Sequence, residues 1–505
     1  MTKLKRLTAF LLALSLLLLC PVFAGAEGFA YNWDQDTDDN PYGPHCESML
    51  LLNLDTDTVV YAMEPDVRRP MASMTKIMSY IVAYETIPDI ENTIITVPES
   101  VALELEGTYS SEATMFTGER FTGRDMLYMM MVPSGNNAAL TLDKYVNSLY
   151  EDGTLTWEGD PLPPAAPAPT PLPDDADEDA VGPVNDSGVD PTDYTGISYF
   201  VELMNRKAEA LGCKDTHFTN SHGLHNKDHY STARDMATIT KYAMSVPGFT
   251  EVTGTTAWEY SPVGQPEVER IAYTTNKLLV NNVDDSGVAY YYQSATGIKT
   301  GSLDEAGYCI TASATAFGYT YIAVGMGAPM YDQYGNQMIH GEMLDVRSLF
   351  RWAVGSLEKK TVAVQGDVVS SIDLKYAWRK DSLQLTAAQN VAVMLPASVD
   401  ENSILVVPDI PDSVEAPIRK GEQIGTATIS YAGDVLATVP LVAGESVAKS
   451  EVLEVWEQGQ QVLTSPWFLV IMAVIVALII VYIILIVLYR RKQRQLRKVK
   501  LFREI

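Results

Sequence analysis

The sequence is poor in cysteine and in positive charge. Only four of its 505 residues are cysteine, and their wide, irregular spacing predicts neither a disulfide framework nor a paired-cysteine metal site. Lys and Arg together number 36 against 64 Asp and Glu, so the formal net charge is −28. Nucleic acid is excluded as a partner, because binding it requires a basic surface.

Metal-binding motifs are also missing. His222, His225 and His229 form an H-x-x-H-x-x-x-H pattern that could suggest zinc. No H-E-x-x-H motif and no cysteine partner accompanies them. These absences argue against a zinc site, and we expect no metal or other cofactor.

The N-terminal residues carry an export pattern. Lys3, Lys5 and Arg6 precede an apolar run, and Ala24-Gly25-Ala26 provides the small residues that a signal peptidase cuts. The pattern predicts a signal peptide over residues 1–26; an uncleaved anchor is the alternative.

A second apolar run lies near the C-terminus. Residues 467–489 contain no charge and are long enough to cross a bilayer as a helix. The basic tail, 490–505, is expected on the cytoplasmic side. This predicts a single-pass cell-membrane protein whose bulk lies outside the cytoplasm, joined to the membrane by a stalk over 451–464.

The region between these runs divides by its pattern. Helices and strands alternate over 40–358 without the regular rhythm of a parallel sheet, which predicts an α+β domain. Residues 151–191 are rich in proline and acid, and we interpret them as a solvated, disordered insert. From 359 to 450 apolar residues recur with period two, which predicts a small all-β domain.

One short motif could carry nucleophilic chemistry. A serine hydroxyl needs a neighbouring base, and on a helix Lys76 would share a face with Ser73, three residues earlier. Burial of the lysine could keep its amine neutral enough to act as that base.

The S-x-x-K pattern alone is not specific, because it recurs at Ser356–Lys359 and Ser446–Lys449. Only the copy at Ser73 is followed by Ser134-Gly-Asn136 and Lys299-Thr-Gly301. This triple combination is the signature of the penicillin-recognising serine enzymes.

Longer segments around these motifs resemble the D-alanyl-D-alanine carboxypeptidases among the low-molecular-mass penicillin-binding proteins. The resemblance covers roughly residues 46–359 apart from the insert, and the β-rich module resembles that family's second domain. The segments are MASMTKIMS (71–79), MVPSGNNAAL (131–140), HFTNSHGLHNKDHYSTARDMA (217–237), TNKLL (275–279) and ATGIKTGSLDEAGYC (295–309).

The resemblance implies a role for each catalytic position. Ser73 would be the acylated nucleophile, Lys76 its general base and Ser134 a proton relay. Asn136 would hydrogen-bond the substrate backbone. The histidine segment is structural in that family, so the resemblance implies that His222, His225 and His229 pack within a loop.

It also implies a substrate-binding segment over 299–302. Lys299 and Thr300 would hold the terminal carboxylate, Gly301 completes the segment, and the backbone N–H groups of Ser73 and Ser302 would form the oxyanion hole. Some relatives place a basic residue near the leucine pair. Here that position reads Thr275-Asn276-Lys277.

By this resemblance we expect a β-lactamase/transpeptidase-like α+β domain with an antiparallel sheet, an all-β domain and one transmembrane helix. The expected activity is removal of the terminal D-alanine from peptidoglycan stem peptides ending in D-Ala-D-Ala, with β-lactams as covalent inhibitors.

Two other functions stay open. A β-lactamase would need a deacylating carboxylate, but no E-x-x-L-N arrangement lies between residues 134 and 299, and Glu202-Leu-Met-Asn205 has the wrong spacing. A non-catalytic wall-binding sensor on the same fold is the third possibility.

Overall fold

The computed structural model describes residues 29, 31–33, 40, 42–155, 198–400, 403–431, 434–450, 452 and 465–501. The predicted signal peptide and nearly all of the predicted insert and stalk lie outside these residues.

Residues 48–356 contain both strands and helices. The strands are β1 (Ser48–Asn53), β2 (Thr58–Met63), β3 (Ile94–Thr96), β4 (Arg120–Thr122), β5 (Ala257–Tyr260), β6 (Arg270–Tyr273), β7 (Ala295–Leu303), β8 (Gly307–Ala316) and β9 (Tyr319–Ala328). The α-helices are α1 (Lys76–Thr86), α2 (Glu99–Leu105), α3 (Gly123–Met131), α4 (Asn136–Glu151), α5 (Tyr199–Ala210), α6 (Ala233–Ala243), α7 (Phe249–Thr253) and α8 (Gly341–Ser356). Among the described residues of this region, 3-10 helices span Ala72–Thr75 and Lys277–Leu279.

The main sheet of this region has five antiparallel strands in the order β2-β1-β9-β8-β7. Every residue of β1 is buried, as expected for a strand covered on both faces. Helices α6 and α8 both pack on β9. The antiparallel sheet with packed helices confirms the predicted α+β class.

Local sequence explains where several helices begin. Thr122 precedes α3 and its side chain accepts a hydrogen bond from the backbone N–H of Asp125. Thr232 does the same for Asp235 at the start of α6. Such caps satisfy amide groups that the first helical turn leaves unpaired, so they fix the point at which each helix starts.

The β-rich region follows α8. Its strands are β10 (Leu357–Ala363), β11 (Val368–Lys375), β12 (Ser382–Ala387), β13 (Val391–Pro396), β14 (Leu405–Asp409), β15 (Ser413–Glu415), β16 (Gln423–Tyr431) and β17 (Asp434–Ala443). Six of them form a sheet in the order β14-β16-β17-β12-β11-β15. In β12, Leu383, Leu385 and Ala387 are buried while Ser382 and Gln384 are exposed, which is the period-two pattern predicted for this region.

The chain forms two compact units. The first contains the described residues up to Val362 together with those in Ala392–Ile404 and Ser430–Ala437. The second contains those in Ala363–Val391, Leu405–Ile429 and Thr438–Ile505. The predicted boundaries of the two domains stay predictions.

The last described helix, α9 (Pro466–Leu501), contains the predicted membrane segment. Over Pro466–Arg494 it is long and apolar enough to cross a bilayer, and none of its most apolar window is buried against the rest of the protein. The helix continues without a break into the basic tail.

Candidate active site

The S-x-x-K motif forms the turn that leads into α1. Ser73 lies in the 3-10 helix Ala72–Thr75, and Lys76 is the first residue of α1. The sequence predicted the pairing on a helix; the serine is in fact held in the tighter turn just before it. Lys76 Nζ lies 2.8 Å from Ser73 Oγ, so the two groups share a hydrogen bond.

Two further oxygens surround the lysine amine. Nζ lies 2.6 Å from Oδ1 of Asn136 and 2.7 Å from the carbonyl oxygen of His222, and Lys76 is fully buried. Burial, together with the positive charge of Lys299, lowers the pKa of Lys76 well below its ordinary value. A neutral amine would donate its two N–H groups to these two oxygens and keep its lone pair for the Ser73 hydroxyl.

The second motif occupies the turn between α3 and α4. Ser134 is buried and adopts a positive φ of 62°, and Asn136 is the first residue of α4. A side chain at Gly135 would put a Cβ only 2.7 Å from the carbonyl oxygen of Met129, so this close approach requires glycine. The turn therefore presents the Asn136 amide to Lys76.

The third motif lies on β7, the edge strand of the five-stranded sheet. Lys299 is buried, and burial lowers its pKa to about 7. A Cβ at Gly301 would lie 3.2 Å from the backbone nitrogen of Ser73 and 3.0 Å from the carbonyl oxygen of Met71. The glycine thus lets β7 approach the nucleophile turn closely. Ser302, one residue on, is exposed.

At the position where some relatives place a basic residue, the structure shows a contact that the sequence did not predict. Thr275 Oγ1 lies 2.6 Å from Thr300 Oγ1, and its backbone N–H donates to the carbonyl oxygen of Val132. It thereby connects the third motif to the chain just before Ser134. Lys277 contacts Asp284 instead, with 3.2 Å between Nζ and Oδ2.

Known family patterns match two parts of the chain. The family pattern described as D-alanyl-D-alanine carboxypeptidase matches residues 35–151 and 193–330. The chain belongs to the D-alanyl-D-alanine carboxypeptidase family. A second pattern, described as the penicillin-binding protein 5 C-terminal domain, matches residues 357–449 of this carboxypeptidase.

Individual relatives extend the match over most of the carboxypeptidase. D-alanyl-D-alanine carboxypeptidase DacF of Bacillus subtilis is 26% identical over 408 residues, which cover 80% of this chain and 86% of the relative. A D-alanyl-D-alanine carboxypeptidase of a Streptomyces species is 28% identical over 272 residues, which cover 54% of this chain and 77% of the relative.

Two solved structures show the same fold. Penicillin-binding protein 5 of Haemophilus influenzae superposes with a TM-score of 0.55 at 22% identity, over 81% of this chain and 99% of that protein. The D-alanyl-D-alanine carboxypeptidase DacD of Francisella tularensis superposes with a TM-score of 0.56 at 22% identity, over 85% of this chain and 100% of that protein. The predicted transpeptidase-like fold is confirmed.

The histidine loop packs behind the nucleophile. His222 and His229 are both buried, and burial lowers the pKa of each to about 3, so both rings are neutral at physiological pH. Among the described residues, no group of three or more His, Cys, Asp or Glu side chains could hold a metal ion. His222 instead provides a carbonyl oxygen to Lys76.

The other two S-x-x-K sequences lie elsewhere in the carboxypeptidase. Ser356 ends α8, and Lys359 is exposed on β10. Ser446 Oγ accepts a hydrogen bond from the backbone N–H of Lys420. The contacts with Asn136 and Gly301 are made by the S-x-x-K copy at Ser73.

Proposed function

We propose that this serine carboxypeptidase removes the terminal D-alanine from peptidoglycan stem peptides through an acyl-enzyme on Ser73. One observation carries the proposal. A half-buried serine hydroxyl lies 2.8 Å from the amine of a fully buried lysine whose pKa is lowered. This is the arrangement that activates a serine at neutral pH.

Acylation replaces the scissile peptide bond by an ester bond to Ser73 Oγ and moves one proton to the leaving amine. Lys76 Nζ takes the proton of Ser73 as Oγ attacks the carbonyl carbon of the penultimate D-alanine. The N–H groups of Ser73 and Ser302 stabilise the resulting oxyanion. When the oxyanion collapses, the peptide bond breaks and the proton passes from Lys76 through Ser134 to the leaving amine.

Deacylation repeats these steps with water. Water attacks the Ser73 ester, a proton moves to the Lys76 amine, and Oγ leaves as the hydroxyl after recovering a proton. A β-lactam acylates Ser73 in the same way, because its ring amide takes the place of the scissile peptide bond. Its leaving amine stays attached to the acyl group, so a slowly hydrolysed adduct is expected.

Substrate recognition uses the edge of the sheet. Within the described fold β7 pairs only with β8, so its other edge can bind an extended peptide. The Asn136 amide would bind the substrate backbone. Protonated Lys299 would attract the terminal carboxylate, and Thr300, hydrogen-bonded to Thr275, would donate to it.

The proposal includes the location of the enzyme. Helix α9 would span the cell membrane once, with residues 490–505 in the cytoplasm and the catalytic domain facing the cell wall. Protease digestion of sealed cells tests this topology. The catalytic domain should be cleaved from outside while a tag after residue 505 stays protected; the opposite result would contradict the orientation.

Mass spectrometry of the purified protein after penicillin treatment tests the chemistry. We expect a stable adduct on Ser73 and release of D-alanine from a diacyl-D-Ala-D-Ala peptide, both lost in Ser73→Ala. Ser356→Ala removes the serine of another S-x-x-K sequence and should retain both. Rapid antibiotic turnover would instead indicate a β-lactamase, and the absence of both reactions would indicate a sensor.

A further inference from the structure

A buried chain of hydrogen bonds runs behind the nucleophile turn. The backbone N–H of Thr219 donates to Nδ1 of His229 over 3.0 Å. Nε2 of the same ring lies 2.7 Å from Oγ1 of Thr75. That hydroxyl in turn donates to the carbonyl oxygen of Ala72 over 2.7 Å. The chain therefore ends on the residue next to Ser73.

The donors and acceptors in this chain of hydrogen bonds can be assigned in only one way. A backbone N–H is a donor only, so Nδ1 of His229 must accept and carries no proton. The neutral ring then has its proton on Nε2 and donates to Thr75. This leaves the single hydroxyl proton of Thr75 for the carbonyl oxygen of Ala72. The lowered pKa of His229, about 3, keeps the ring in this neutral form at physiological pH.

The acceptor at the end of the chain belongs to a functional peptide group. The Ala72 carbonyl and the Ser73 N–H are opposite ends of one planar peptide unit. A hydrogen bond that holds the carbonyl oxygen therefore also fixes the direction of the N–H. It further polarises that N–H, because successive hydrogen bonds strengthen one another.

The same peptide unit is held in an unfavourable conformation. Ala72 adopts a positive φ of 47°, which costs energy for a residue with a side chain. Gly223 packs directly on it, because a Cβ at that glycine would lie 2.1 Å from the Ala72 carbonyl oxygen. An unsupported turn would relax, so the hydrogen bond from Thr75 supplies part of the support.

We propose that Thr75 and His229 are positioning residues for the oxyanion hole. They fix the Ala72–Ser73 peptide unit so that the Ser73 N–H points at the developing oxyanion. Neither touches the substrate, so both act through that peptide unit. The inference rests on the proposed function, which makes this N–H an oxyanion donor.

The inference predicts a specific kinetic pattern. An oxyanion forms in acylation and again in deacylation, so loss of the positioning should slow both steps. Substrate binding before the chemistry depends on Asn136, Lys299 and Thr300, and should change little. A general loosening of the fold would weaken binding as well.

Matched substitutions at Thr75 test the hydroxyl. Thr75→Val keeps the shape of the side chain and removes the donor, whereas Thr75→Ser keeps the donor. For Thr75→Val we expect acylation by penicillin and hydrolysis of the adduct each to slow by roughly 10- to 100-fold. This reduction is smaller than the one expected when an oxyanion donor is deleted. KM for the D-Ala-D-Ala peptide should stay within about 2-fold. Thr75→Ser should retain wild-type rates.

Infrared spectroscopy of the acyl-enzyme gives a direct readout. The ester carbonyl of the Ser73 adduct, labelled with carbon-13, should absorb at higher wavenumber in Thr75→Val because its hydrogen bonds weaken. Thr75→Ser should match the wild type. An unchanged band together with unchanged rates in the valine variant would overturn the inference.

Substitutions at His229 keep the inference testable if the valine variant fails to fold. His229→Gln retains a side-chain N–H near the position of Nε2 and should keep most of the activity, whereas His229→Leu should show both slow steps and the band shift. Equal rates in these two variants would contradict the inference. A wild-type enzyme without a Ser73 adduct would instead refute the proposed function itself.

Discussion

The side-chain oxygen of Asn136 accepts a hydrogen bond from Lys76 Nζ over 2.6 Å. This neutral amide orients the amine without adding negative charge beside it. Burial can therefore keep the pKa of Lys76 low, which a carboxylate at the same place would prevent. The choice of asparagine is thus part of how the lysine becomes a base.

Asn136→Asp should move the pH dependence of acylation. A carboxylate near Nζ favours the ammonium form and raises the pKa of Lys76, typically by about 1–3 units for a close opposite charge. The ascending limb of the acylation rate should then shift to higher pH. Stopped-flow acylation by a chromogenic β-lactam across pH measures it. Asn282→Asp introduces the same charge at an exposed position and should leave the limb unchanged.

Lys299→Arg should remove the descending limb of the pH profile of kcat/KM for peptide substrates. The pKa of Lys299 is about 7, so the free enzyme loses this positive charge as pH rises through that value. Attraction for the substrate carboxylate falls with it, and kcat/KM should decline above about pH 7. An arginine stays protonated over the whole range.

The pH profile of D-alanine release measures this effect. Lys277→Arg is the control. Lys277 pairs with Asp284, so this substitution should leave the descending limb of the pH profile unchanged. Persistence of the descending limb in Lys299→Arg would show that another group causes it.

Parts of this fold and site could be predicted from local sequence. The period-two pattern of apolar residues over 359–450 predicted the β-rich region, because a strand with one buried face alternates buried and exposed side chains. Spacing of three residues predicted the contact between Ser73 and Lys76, because only the local backbone separates them. The signature of the penicillin-recognising serine enzymes supplied the other two motifs.

Contacts between distant segments could not be predicted in this way. Thr275 and Thr300 are 25 residues apart and meet only because both segments return to the same edge of the sheet. His229 reaches Thr75 across 154 residues. No periodicity encodes such pairs, since they depend on tertiary packing rather than on spacing. The positive φ of Ala72, against which Gly223 packs, is likewise not encoded by spacing.

Thr275→Val should weaken binding of substrates that carry a terminal carboxylate. The variant removes the hydroxyl that lies 2.6 Å from Thr300 Oγ1 and so leaves Thr300 free to rotate away from the carboxylate. Loss of one hydrogen bond of about 1 kcal/mol predicts a rise in KM of roughly 5-fold. Steady-state D-alanine release measures it.

Thr275→Ser keeps the hydroxyl and should retain the wild-type KM. A peptide that ends in an amide lacks the carboxylate and should not distinguish Thr275→Val from the wild type. Equal losses with both peptides would mean that Thr275 has only a structural role.

Gly223→Ala should disturb the nucleophile turn, and Gly212→Ala is its matched control. Both glycines adopt positive φ, 97° and 82°, so alanine adds backbone strain at either position. At Gly212 nothing lies within 4 Å of the added Cβ, whereas at Gly223 it would meet the Ala72 carbonyl oxygen at 2.1 Å. The backbone cannot accept that contact without moving.

Urea unfolding and acylation rates together separate the two effects. Both variants should lose about 1–2 kcal/mol of unfolding free energy from strain, and Gly223→Ala should lose about 1–3 kcal/mol more from overpacking. Only Gly223→Ala should also acylate at least roughly 10-fold more slowly, because displacement of Ala72 moves the Ser73 N–H away from the oxyanion. If both variants acylate at the wild-type rate, the nucleophile turn does not depend on its contact with this loop.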